Sequence, residues 1–464
     1  METNYKKPDK QQVSDQIFLS DTVQNVHLNG VDVSEANDGQ KESEKESERL
    51  KTKAKVFIRV GDSYYKHVLQ PGKNDGEFFK HLLKVSKTTI TDDHSPKIIK
   101  HIYKYDDFVL RASHTNYQQN IGTFYNKYHQ ITHQPKQGTF PVISSLIKHL
   151  FGEPYTEFAF DYLALLYHKP TQPLPIILLE SEAKNTGKST FGNLIYWIFQ
   201  DNVVKAGNND LQSDFNSVWV ERLVVVVDET QLDKSSVTQM LKRYSTETGK
   251  VVINEKNKSQ REIDFIGKFI FCSNQEGRAL FIERNDPRWA VFKVPTLAES
   301  GLEDNPQIEQ TIKAEIPAFL YFLLHRQLKY PQKSRMYFAP KVYHTDQLEV
   351  YYRRAFTRTA KAIQQLVVDT HDHCPNQTEI CFSIANIIEE IKGEGFKTDR
   401  QSVKDALEKE LGLAPNSKGR YDYYSRTQMD KAVNLVIAND QNNKFYRFDL
   451  DIIQTWKNTI SDFF

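Results

Sequence analysis

The run Pro175-Ile-Ile-Leu-Leu-Glu180 leads through Glu182-Ala-Lys-Asn-Thr-Gly187-Lys188-Ser189-Thr190 into the helical pattern Phe191–Phe199, and no other stretch restricts the fold so far. A short apolar run without alternation reads as a strand buried on both faces, as happens where helices cover a parallel sheet. A glycine-containing turn passing from such a strand into a helix is the context a phosphate-binding loop requires. Gly187 permits close backbone approach, and the helix N-terminus offers amides to anionic oxygens. Lys188 is placed to reach the β- and γ-phosphates of ATP and Ser189 to bind Mg2+. The nucleotide-binding stretch comprises Glu182, Ala183, Lys184, Asn185, Thr186, Gly187, Lys188, Ser189 and Thr190, the last in a supporting role. Glu182 stands where the strict pattern opens with glycine, and Gly-Lys-Ser/Thr alone arises by chance in roughly one chain of this length in five. The reading therefore needs independent company.

That company follows downstream. Arg222-Leu-Val-Val-Val-Val227-Asp228-Glu229 is a buried β-branched strand ending in two acids. Asp228 is placed to hold Mg2+ through its water shell, and Glu229 to orient and deprotonate an attacking water. A third strand, Lys268-Phe-Ile-Phe-Cys-Ser-Asn274, ends in an amide that reaches the γ-phosphate or the lytic water, with Cys272 as buried filler. Between these strands, Lys250–Phe265 alternates around a polar tip, a hairpin whose Lys256, Lys258 and Arg261 suit phosphate contacts with a nucleic-acid strand. Arg284-Asn-Asp-Pro-Arg288-Trp289 then leads into the strand Ala290–Val294, and an arginine on such a turn is a candidate for stabilising transition-state charge in a neighbouring subunit. Arg288 is the first choice and Arg284 the second, against the plain alternative of a structural salt bridge.

Composition sets the limits. Sixty-one Lys+Arg against sixty Asp+Glu exclude a polycation that coats nucleic acid, so any nucleic-acid surface is local. With 39% hydrophobic residues in 464, the chain is expected to hold two to four domains. Three cysteines form no disulfide framework, and the spacing of His371, His373, Cys374 and Cys381 lacks the paired arrangement of a zinc site. No basic, apolar leader opens the chain, and Leu211–Thr230 is broken by Asp214, Glu221 and Arg222, so a cytoplasmic protein without membrane partners is expected. The expected domains are a disordered charged tail at 1–54, a small α+β region at 55–169, an α/β core at 170–333 and a helical unit at 334–464. The tail contains Lys41-Glu-Ser-Glu-Lys-Glu-Ser-Glu-Arg49, and the last unit opens on one long helix near Thr345–Val368.

The order Gly-Lys-Ser, Val-Val-Asp-Glu, basic hairpin, Phe-Cys-Ser-Asn and Asp-Pro-Arg-Trp resembles superfamily 3 helicases, closest to the helicase portion of phage and mobile-element primase-helicases of the poxvirus type. Tyr125-Asn-Lys-Tyr128, His149-Leu-Phe-Gly-Glu153 and Asn208–Asn216 look like parts of the same module, which spans Lys55 to Leu328. The resemblance implies an AAA+-like P-loop NTPase that forms a hexameric ring on single-stranded DNA, with ATP sites between subunits. It assigns Lys188, Ser189, Asp228, Glu229 and Asn274 to the nucleotide motifs, Lys256 to the basic hairpin position and Arg288 to the trans arginine.

Primase activity is not expected: Asp75-Gly-Glu77 reads as a turn, and the adjacent pairs Asp92-Asp93 and Asp106-Asp107 would point to opposite strand faces. A separate primase or initiator is the implied partner. Ile384–Lys392, Arg400–Leu411, Arg420–Ser425 and Lys444–Phe448 follow the helix, helix, strand, strand order of a winged helix, whose Lys404, Lys418, Arg420 and Arg426 could meet DNA backbone, with a plain oligomer-packing domain as the equal alternative. The expected function is an ATP-dependent replicative DNA helicase. A nucleotide-dependent DNA-binding initiator without motor activity and an RNA helicase are the alternatives.

Overall fold

The computed structural model describes residues 38–72, 78–230, 232, 235–247, 249–256, 260–393, 395–425 and 437–460. The chain divides into two compact units, Met1–Asp106 and Asp107–Phe464.

The first unit begins with helix α1 (Asp38–Ala54), so the charge run expected as a disordered tail is helical where it is described. The Glu and Lys residues that kept it from looking like core are good helix formers. Its last turns bury Leu50 and Ala54, four residues apart, against Phe57, Tyr64, Ile90, Ile98 and Ile102. Strands β1 (Phe57–Val60), β2 (Ser63–Pro71) and β3 (Phe78–Val85), helix α2 (Lys87–His94) and strand β4 (Tyr103–Tyr105) complete the unit, with sheet order β3-β2-β1-β4. A tight hairpin turn joins β1 and β2: Val60 faces Ser63 across Gly61, whose φ of 58° suits glycine.

The second unit opens with short strands β5 (Phe108–Val109), β6 (Asn120–Ile121) and β7 (Phe124–Asn126), then helices α3 (Pro141–Phe151) and α4 (Thr156–His168). Its centre is built from β8 (Ile176–Glu180), α5 (Lys188–Phe199), β9 (Val203–Ala206), α6 (Asn208–Gln212), β10 (Val224–Val227), α7 (Ser235–Thr246), hairpin strands β11 (Lys250–Ile253) and β12 (Arg261–Asp264), β13 (Lys268–Ser273), β14 (Trp289–Lys293) and α8 (Ile308–His325). Five strands pair in parallel in the order β14-β8-β13-β10-β9. This is the α/β sheet expected from runs with no polar face. Alternate residues of β8 divide between two cores: Ile177 and Leu179 join α3, α4, α5 and α8, whereas Ile176 and Leu178 join α7 and the hairpin. The expected boundary at 169/170 therefore does not separate cores, because α3 and α4 bury their apolar faces on the sheet itself.

The helix expected near Thr345–Val368 is two helices, α9 (Asp346–Arg354) and α10 (Arg358–His373). Thr357 ends the continuity: its Oγ1 accepts from Ala360 N at 3.1 Å, an N-cap, while Thr357 N donates to Glu410 Oε2 at 2.8 Å. Beyond it lie β15 (Glu379–Phe382), α11 (Ile384–Gly393), α12 (Arg400–Asp405), β16 (Gly419–Ser425), β17 (Ile437–Asn443), β18 (Tyr446–Asp449) and α13 (Leu450–Ile460), around a separate core. Strand β15 pairs with β18 and β16 with β17. The polar β17 was not expected, and Arg426 lies outside the described residues. Among the described residues no helix is long and apolar enough to cross a membrane.

Candidate functional site

Parallel strands align their carboxyl ends, and here the sequence places its polar chemistry directly after each apolar run. Ser273 lies beside Glu180 in the β13–β8 register and Val227 beside Phe271 in the β10–β13 register. The loop after β8, the acids after β10 and Asn274 after β13 therefore meet at one sheet edge.

The loop turns back through two left-handed residues, Asn185 (φ 57°) and Gly187 (φ 85°), and Gly187 caps α5. A Cβ on Gly187 would lie 3.3 Å from Leu146 Cδ1, so glycine serves both the turn and the close approach of α3. Glu182 is exposed and is not among the positive-φ residues, so this loop has no conformational need for glycine at its first position. Lys188 is only 6% exposed. Its Nζ donates to Thr186 Oγ1 at 2.8 Å and Ala183 O at 3.2 Å, both neutral acceptors. Burial lowers its pKa, opposed by Cys272, Asp228 and Glu180. Among the described residues no carboxylate forms an ion pair with it. Ser189 is exposed at the mouth and Thr190 half-buried.

Asp228 and Glu229 are both exposed. Asp228 Oδ1 accepts the Glu229 N–H at 3.1 Å, and Glu229 takes a left-handed φ of 54°. The turn is pinned from beneath: Thr230 N donates to Cys272 O at 2.8 Å, and Ser273 Oγ donates to Thr230 O at 2.7 Å. Asn274 follows, half-buried.

The structure does not bring Arg284 or Arg288 to this edge. Ile176 N donates to Arg288 O at 2.7 Å, so Arg288 enters the sheet at its amino edge, a strand length or roughly 16 Å from Glu180. Its Nη1 pairs with Asp286 Oδ1 at 2.9 Å, and its buried Nε has no partner. Arg284 lies over the Phe356 ring at 5.5 Å. Lys256 is exposed at the hairpin tip and Lys258 is outside the described residues. Arg261, expected at the tip, opens β12 opposite Ile253 where the ladder meets the tip loop, and its Nη2 pairs with Glu221 Oε1 at 2.6 Å beside Lys127. A buried carboxylate flanked by two cations holds that arginine in place.

Residues 179–288 match a family described as "Family of unknown function (DUF5906)". Among curated proteins none matches. Solved structures with a similar fold include "The apo structure of NrS-1 C terminal region (305-718)", at 16% identity over 78% of this chain and 85% of that one, with a TM-score of 0.52. "The A form apo structure of NrS-1 C terminal region-CTR" is similar at 17% identity over 79% and 86%, again with a TM-score of 0.52. The likeness concerns the fold: a mixed α/β chain with the same general course over most of both lengths.

One site residue was missed by the sequence reading. Glu180 ends β8 with its carboxylate fully buried, accepting from Gly277 N at 3.1 Å and from the side chains of Gln347 and Tyr351 on α9. It joins the root of the loop after β8, the turn after Asn274 and the helix that follows the sheet. The only sequence signal was an acid closing an apolar run. Burial pushes its pKa up to about 7 against those three donors. A carboxyl raised in the folded state binds more protons than the unfolded chain between about 4.5 and about 7, so its stabilising contribution is lost as pH rises through that window. Thermal unfolding of wild type against Glu180→Gln is expected to show wild type losing on the order of 3 kcal/mol relative to the variant across that range. Parallel pH profiles would remove this assignment.

Proposed function

We propose that the chain is an ATP-hydrolysing motor of the P-loop, AAA+-like class that moves along single-stranded DNA, serving replication of a phage, plasmid or integrated element. The observation carrying this reading is the meeting of Lys188, the Asp228–Glu229 pair and Asn274 at the ends of three adjacent parallel strands. Lys188 exchanges its neutral oxygen partners for the β- and γ-phosphates as they enter the loop. Ser189 and Asp228, both exposed at the loop mouth, are the residues that would hold Mg2+, which neutralises charge on the phosphate oxygens when bound. Glu229 takes the proton of the attacking water and Asn274 orients it.

An open cleft of about 530 Å3 adjoins the loop, lined in part by Lys148, Tyr155, Phe292, Ser300 and Gln347. His149 fixes its wall, its imidazole bonding Thr186 O at 3.0 Å and Ser300 Oγ at 2.7 Å. This cleft has the size and the aromatic lining for the nucleobase and ribose. Arg288 completes the site of the next subunit in a homo-oligomer, a hexamer by the family resemblance, and Lys256 contacts DNA from the hairpin. The C-terminal unit serves as a winged helix, with Lys404, Lys418 and Arg420 toward DNA backbone.

Steady-state ATP hydrolysis with and without single-stranded DNA tests the reading. Wild type is expected to hydrolyse ATP faster with DNA, and Lys188→Ala to weaken ATP binding by roughly 10–100-fold through loss of a charge-assisted contact. Absence of hydrolysis in the assembled protein would replace the motor with a nucleotide-dependent initiator.

A further inference from the structure

The four strands of the N-terminal unit contain no aspartate or glutamate, although about three would be expected at the chain's average frequency. They do contain Arg59, Lys66, Lys80, Lys84 and Lys104. Among the described residues the unit's acids lie instead on its helices and turns, as with Asp92 and Asp93 on α2 and Asp62 between β1 and β2. An acid-free sheet in a chain of net charge +1 is a local departure from balance.

Strand alternation separates its two faces. Phe57 and Tyr64 point into the core beneath Leu50, Ile90 and Ile98, so that face is taken by the helices. Ile58, Tyr65, His67, Lys80, Lys84 and Tyr103 belong to the other face, and none of them joins that core. The register aligns them across the sheet: Lys84 opposes Tyr65, Tyr65 opposes Ile58, and Ile58 lies beside Tyr103. Tyr103 is 56% exposed, and His67, Lys80 and Lys84 are exposed. Tyr65 and Tyr103 thus stand two strand spacings apart, roughly 10 Å, with ammonium groups along the β3 edge. Tyr105 packs its ring 4.7 Å from Tyr103 and supports it. Flat rings in a row with cations beside them, on strands that carry no acid, match bases and phosphates of a single strand.

We propose that this sheet face is a second single-stranded nucleic-acid site, with Tyr65 and Tyr103 as stacking platforms and Lys80 and Lys84 as phosphate contacts. It goes beyond the motor reading, since binding here needs neither ATP nor the β11–β12 hairpin. The test is fluorescence anisotropy of a fluorescein-labelled oligo(dT) strand with the full chain, without nucleotide, from about 50 mM to about 200 mM salt.

Lys80→Glu/Lys84→Glu is expected to lower affinity at least tenfold and to reduce the slope of log affinity against log salt by about 1.4, at about 0.7 per lost contact. Tyr65→Ala/Tyr103→Ala is expected to lose roughly 10–100-fold in affinity with the slope unchanged, while Tyr103→Phe stays near wild type because stacking needs only the ring. Thermal melting and unchanged basal ATP hydrolysis establish that the variants fold. Unchanged affinity and slope in both double variants overturn the site, as does nucleotide-free binding that is lost with Lys256→Ala alone. Loss of binding in the double variants supports the site even where the chain hydrolyses no ATP, which separates its fate from that of the motor.

Discussion

Glu229→Gln is expected to lower kcat for ATP hydrolysis by roughly 10²–10⁴-fold while ATP and DNA binding stay near wild type. The substitution keeps the side chain's shape and its exposed position after β10, and the left-handed backbone at φ 54° is no harder for glutamine than for glutamate. Asp228 is untouched, its Oδ1 still accepting the N–H of residue 229. Only the capacity to take a proton from water is removed, so the loss belongs to kcat and not to KM. Single-turnover hydrolysis and nucleotide binding, measured separately, distinguish the two. Unaltered kcat would make Glu229 a turn residue. A variant that still binds DNA but has lost both hydrolysis and unwinding rules out the initiator reading, because an initiator that only assembles on nucleotide has no turnover to lose.

The meeting of these side chains at one sheet edge was readable because each directly follows an apolar run in the chain. Val224–Val227 announces a buried strand, and the next two residues are the acids; Lys268–Ser273 does the same for Asn274. What depends on distant pairing was not readable. Glu180 looks like the polar end of a strand until Gln347 and Tyr351 arrive from more than 160 residues away. Arg261 reads as a free tip cation until Glu221, forty residues earlier, claims it where the ladder meets the tip loop. Charge composition misled at α1, where Leu50 and Ala54 suffice to dock a helix whose other residues are polar. In the last unit, periodicity continued across Ala355–Thr357, but a threonine cap and the Glu410 carboxylate started a new helix there.

Arg288→Ala is expected to reduce ATP hydrolysis by roughly 10³-fold or more, the scale of removing an arginine from a phosphoryl-transfer transition state. Within one chain the residue cannot act this way, for it enters β14 at the amino edge of the sheet while the loop that leads to Lys188 leaves β8 at the carboxyl edge. Its bond to Asp286 leaves the side chain 26% exposed, so part of the guanidinium remains for a neighbour's phosphate. The decisive measurement mixes two inactive proteins. Lys188→Ala retains Arg288, and Arg288→Ala retains Lys188, so an interface combining the loop of one with the arginine of the other is intact. Random mixed rings are expected to recover about a quarter of wild-type hydrolysis, since one interface in four pairs the intact halves. Recovery at that level places the arginine in trans. Mixed assemblies verified by mass that recover nothing reduce Arg288 to the ion pair with Asp286, and the catalytic site would then be complete within one subunit.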